Sequence, residues 1–233
     1  MATFEEQVEA LTSLTISSSG TIPTQAQLTQ FIQDGFQDVI KRWIAVKPAD
    51  AYLFQRITSE GETQAAITVG SGKVLNVVRM AGSSTDWRDC RRIGADLQSR
   101  VTDTDSIHYA SVYNPAFFIS EGGSVYVYPV PDTSGNNSYK AYYINAEPLE
   151  STPDDGTTLD ISSTAIKNFP DDIEHLVPLY AAIKSLEAKI AEFSITEEDT
   201  ELVQSLAPAL SSLKEDYTMA FAFHMPKQQK AAS

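Results

Sequence analysis

The sequence predicts an α+β protein: N-terminal helices, an inserted antiparallel β domain and a C-terminal antiparallel helix pair. Three observations carry this prediction. Apolar residues recur at helical spacing up to about residue 50, alternate with polar ones from about Tyr52 to Asn145, and return to helical spacing after residue 163. The expected organisation is a helical segment over 1–50, a β domain over 51–150, a helical hairpin over 151–225 that completes the helical body, and a flexible tail over 226–233.

Thr3 precedes Glu6 by three residues, the spacing of a capping box in which each side chain satisfies an orphan helix donor. Phe4, Val8, Leu11 and Leu14 then follow at helical spacing, so a short first helix is expected, closed by the polar hinge 13–24. Thr24 with Gln27 repeats the box. Leu28, Phe31, Ile32, Phe36, Val39, Ile40 and Trp43 then form one broad stripe, which predicts a second helix over 24–44. Gly35 within it costs up to ~1 kcal/mol relative to Ala, a cost explained if a neighbouring backbone packs against it.

In the β region, AAITV (65–69) and KVLNVVRM (73–80) flank Gly70-Ser71-Gly72, and NPAFFIS (114–120) and SVYVYPV (124–130) flank Glu121-Gly122-Gly123. Both pairs read as hairpins. A third strand, YKAYYINA (139–146), follows the turn-rich loop 131–138. In SVYVYPV the alternation predicts Val125 and Val127 on a core face, with Tyr126 and Tyr128 on an aromatic, partly exposed one. Pro129 places the end of that strand at a sheet edge or at a terminus, since it has no N–H for a ladder. Residues 83–106 read as irregular or partly helical.

The loop 147–163 leaves the β region. Leu176, Leu179, Ile183, Leu186, Ile190 and Phe193 then make one seam, and Leu206, Leu210, Leu213, Tyr217 and Phe221 another, with Thr196 and Asp199 as a weaker box before it. The short ITEEDT connection predicts that the two helices pack antiparallel. Pro178 calls for a kink or for a helix start near Val177 after a short preceding turn, and Pro208 for a bend in the last helix.

Composition excludes several classes. The chain of 233 residues has 42% hydrophobic residues, ten Tyr and ten Phe, enough for a sizeable core without staples. Its formal charge of −14, with only short basic clusters at Lys41–Arg42 and around Arg88, Arg91 and Arg92, argues against tight nucleic-acid binding. No apolar run is long enough to span a membrane, so no membrane partner is expected, and no secretory signal is visible at the N-terminus. The single cysteine, Cys90, cannot form an internal disulfide and fits a reducing compartment.

Four clusters invite a chemical reading. "GSGK" (70–73) lacks the earlier Gly and the following Ser or Thr of a phosphate loop, having Ile67 and Val74 there, and reads as a turn. Asp154-Asp155 beside Gly156 is also turn chemistry. Asp171, Asp172, Glu174 and His175 resemble raw metal-site material, but no zinc or calcium spacing is met, and carboxylates in a first helical turn suit the helix dipole. Cys90 among Trp87, Asp89, Arg91 and Arg92 reads as structural and not as an activated thiolate. No nucleophile elbow is present. Catalytic residues, metal ligands and cofactors are therefore expected to be none.

The order of parts then carries a resemblance. Helices come first, then "SVYVYPVP…YKAYYINAEP", then "FPDDIEHLVPLYAAIKSLEAKI" and a closing helix. This resembles the head-to-tail connector (adaptor or neck) proteins of tailed bacteriophages. It looks most like marine-phage virion structural proteins, in which a segment like "CRRIGADLQSRVTDTDSIHYASVYNPAFF" precedes the Tyr-Pro strand. The similarity runs from about Phe4 to Phe221 and is strongest at Val127-Tyr128-Pro129-Val130-Pro131 and at Leu176–Leu186. It implies a non-enzymatic ring, usually a dodecamer, held between the portal protein and adjacent tail or neck proteins. The chain would be made in the host bacterial cytoplasm and reside in the virion neck. Genome DNA would pass through the channel without sequence-specific binding. Family members often grip the portal with a C-terminal segment. Here Phe221, Phe223, Lys227 and Lys230 are the partner-binding candidates, in a polar end, HMPKQQKAAS, expected to be disordered alone and to order on a partner. The alternatives are a structural protein of the tail or baseplate, a metal-assisted hydrolase or lysis enzyme using DDIEH, and a glycan binder using Tyr126, Tyr128, Tyr142 and Tyr143.

Overall fold

A computed structural model describes residues 2–65, 67–70, 72–82, 85–131, 137–144, 148–150, 157–195 and 200–224. The chain runs through α1 (Phe4–Thr12), α2 (Gln25–Val46), a 3-10 stretch (Pro48–Phe54) and strands β1 (Gln55–Ile57), β2 (Ile67–Thr68) and β3 (Val74–Met80). Strands β4 (Trp87–Asp89) and β5 (Arg91–Arg92) and the short helix α3 (Gln98–Val101) precede β6 (Ala116–Ile119), β7 (Ser124–Tyr128) and β8 (Tyr139–Ile144). The helices α4 (Asp171–Glu174), α5 (Leu176–Ile195) and α6 (Thr200–His224) complete it. The architecture is α+β, with helices at both ends of the chain around a predominantly antiparallel β region. Two compact units result: Met1–Leu53 with Glu147–Ser233, and Phe54–Ala146.

In the helical unit both capping boxes form. Thr3 Oγ1 accepts from the Glu6 N–H (3.2 Å) while Glu6 Oε2 accepts from the Thr3 N–H (2.9 Å), and Thr24 and Gln27 do the same at 3.3 and 2.9 Å. The first helix is shorter than its apolar spacing suggests. It stops at Thr12, Ser13 turns into the left-handed region (φ 55°), and Leu11 faces solvent while Thr12 is buried with its hydroxyl on Val8 O. Helix α5 is the centre of the unit, touching α1, α2 and α6. That explains why Leu176, Val177, Ala181, Ala182, Ser185 and Leu186 are all fully buried, beyond the single predicted seam. Ser185 satisfies its hydroxyl on Ala181 O (2.8 Å). The short preceding turn is α4, so Pro178 falls in the first turn of α5, where its missing N–H would have had no intrahelical partner. Contacts between Tyr180 and Tyr217 (6.0 Å between centroids) and between Glu187 and Lys214 (2.9 Å) run in opposite chain directions, so α5 and α6 are antiparallel. The weaker box at Thr196 and Asp199 lies outside the described residues.

The β unit holds two four-stranded sheets, ordered β1-β8-β3-β4 and β2-β7-β6-β5. Ile67, Val69, Val77, Cys90, Phe117, Val125, Val127, Tyr139 and Ala141 from both sheets form one core. The β6–β7 hairpin forms as expected, with Phe117 opposite Val127. The hairpin expected at Gly70-Ser71-Gly72 does not form: β2 pairs with β7 and β3 with β8 and β4, so the chain changes sheets there. The glycines have another cause. The Val69 N–H donates to Gly123 O (3.0 Å), Gly123 sits at φ 79°, and a side chain on it would collide with the Gly70 backbone. Residues 83–106, expected as irregular or partly helical, also contribute β4 and β5, the latter parallel to β6.

The aromatic face of β7 departs from expectation at Tyr128 alone, since Tyr126 is half-buried, in keeping with a partly exposed position. Tyr128 is buried, and Phe118 stacks on Tyr126 and Tyr128 with centroids 5.0 and 6.2 Å apart. Ile93, Val101 and Ala110 cover that side in a cluster of their own. The segment 93–110 therefore roofs the face that the alternation left open. As expected, β7 ends at Tyr128, just before Pro129, whose carbonyl accepts from Arg79 Nε (3.0 Å).

Candidate functional site

The acidic run builds a groove in the helical unit. Pro170 caps α4 without a side-chain hydrogen bond, Asp171 and Asp172 are exposed in its single turn, and His175 ends it. Asp171, Glu174 and His175 line a cavity of about 410 Å³ together with Ala2, Phe4, Gln7, Thr164 and Ala165. The α1 side is fixed because the Phe4 N–H donates to Ser163 O (3.0 Å) and the Glu5 N–H to Ile161 O (3.1 Å). Burial pushes the Glu174 carboxyl above its ordinary value. A hydrogen bond with the Ile166 backbone opposes this, and the Asp171 charge adds to it. Among the described residues, no group of three or more His, Cys, Asp or Glu side chains is placed to hold a metal ion. What remains is one half-buried carboxyl in an open, acidic groove.

Because the folded-state value of Glu174 lies above the unfolded one, the folded chain binds this proton more tightly, and stability rises as pH falls through the folded value toward the unfolded one. At neutral pH the charged carboxylate carries the burial penalty. Glu174→Gln is thus expected to be as stable as wild type or more stable at pH 7, by up to about 0.5 kcal/mol given its exposure. The difference should vanish on acidification, as urea midpoints measured from pH 7 to 4 would reveal. A variant less stable than wild type at pH 7 would contradict the assignment.

Cys90 lies in the core shared by the two sheets of the β unit. Burial pushes its thiol up to about 12, against the opposing pull of the Arg79 charge. Trp87 instead packs under Lys140 Nζ, 4.4 Å from its ring centroid. A thiol-specific reagent at pH 8 is expected to label the native chain on the order of a hundredfold more slowly than the unfolded chain, or slower still. Equal rates would restore a reactive role.

The partner-binding candidates separate. Phe221 is only 6% exposed. Its ring meets Tyr217 edge-on (5.1 Å), and the Arg42 guanidinium lies over both rings at 6.0 and 5.4 Å. Tyr217 donates to Asp38 Oδ2 (2.7 Å), which also pairs with Arg42 Nε (2.6 Å), so this node ties α6 to α2. Phe221 is thus occupied inside its own unit. Phe223, two residues on, is 86% exposed. Lys227 and Lys230 lie outside the described residues, as does Asp154-Asp155.

In the β unit the four tyrosines of the glycan reading do not share an open face: Tyr126 and Tyr128 are roofed as above, and Tyr143 packs against the core between the sheets. The feature that sequence reasoning missed is the loop after α3. Ile107, Tyr109 and Tyr113 are all exposed there, and no periodicity signals it. No protein-family model matches the chain, and no curated protein matches it either.

Proposed function

We propose that this chain is a non-enzymatic structural protein of a tailed-phage particle, forming a ring that connects the capsid portal to the tail around the DNA channel. The observation that carries this reading is the order of parts: capped N-terminal helices, an inserted β unit and an antiparallel helix pair, an order that resembles that of connector proteins. The exposed Phe223 near the end of α6, ahead of Lys227 and Lys230, supports a C-terminal grip on the portal. The charge distribution fits as well. Between residues 54 and 146 eight Lys and Arg meet nine Asp and Glu, a net −1, so −13 of the chain's −14 belongs to the helical unit. A helical body of that charge facing a channel would repel phosphates and let DNA slide.

The test is a reconstruction of the intact particle, combined with native mass spectrometry of the purified chain with and without portal protein. Density for the chain in a closed ring at the portal–tail junction is the expected result. Density in the tail tube or baseplate would instead favour a structural role there, and absence from the particle would overturn both. Phe223 is 86% exposed near the end of α6, so Phe223→Asp with Lys227→Glu and Lys230→Glu is the variant to carry into the portal-binding measurement.

A further inference from the structure

We draw no further inference here: the strongest candidate, the acidic groove that Asp171, Glu174 and His175 line beside the start of α1, carries nothing, because it belongs to the site already described and nothing in the structure shows what fills it.

Discussion

Tyr139→Ala is expected to lower the stability of the β unit by about 4 kcal/mol, the range for emptying a large aromatic site in a core. Tyr139 opens β8 and is fully buried. Its backbone exchanges two hydrogen bonds with Gly61 (2.9 and 3.0 Å), and its ring occupies the space where any Gly61 side chain would sit. The hydroxyl then reaches out of its own sheet, accepting from the Ile67 N–H (3.2 Å) on β2 and donating to Val125 O (3.3 Å) on β7. One side chain thus fills the core and satisfies backbone groups of the opposite sheet. Tyr139→Phe keeps the ring but leaves a buried N–H without its acceptor, which costs about 1–2 kcal/mol. Hydrogen exchange of peptides covering 67–69 and 124–128 reads this unit apart from the helical one. The expected order of protection is wild type, then Phe, then Ala. Equal loss in the two variants would mean that the hydroxyl and not the ring holds the sheets.

What the sequence disclosed about this chain divides by distance along it. Thr3 with Glu6 and Thr24 with Gln27 are boxes closed within four residues, so pattern alone located both helix starts. The break before α5 was legible from Pro178 for the same reason. The β unit's pairings are not local. Ser-Gly turns next to alternating strands read as hairpins, yet Gly70 answers to Gly123, more than fifty residues away, and the strand it follows joins the other sheet. Tyr128 misled because the segment 93–110 that roofs it has no periodicity of its own. The candidate sites follow the same rule. Phe221 continues the α6 seam through Leu213 and Tyr217, so its burial was implicit in its spacing, and Phe223, off that seam, is exposed. The groove that Glu174 lines is completed by Phe4 and Gln7, far off in the chain, and could not be read from DDIEH.

Gly35→Val is expected to cost about 3 kcal/mol, while Gly35→Ala should fall within about 1 kcal/mol of wild type. A methyl at Gly35 would lie 3.0 Å from Tyr180 Cδ1, 3.2 Å from Tyr180 Cβ and 3.1 Å from the Val177 carbonyl oxygen. The first is part of a ring that can turn. The last is backbone of α5, which is packed against α1, α2 and α6 and has no free direction in which to retreat. For Ala the gain in helix propensity, up to about 1 kcal/mol, offsets much of that crowding. For Val the offset shrinks, because β-branching restricts its rotamer, and two further methyls enter the same space. Urea denaturation followed by circular dichroism at 222 nm measures both. Pairing Gly35→Val with Tyr180→Ala then tells ring from backbone. Partial recovery is expected, since the Val177 carbonyl stays where it was. Complete recovery would place the conflict in the Tyr180 ring, and Gly35 would then serve a side chain and not the approach of two helices.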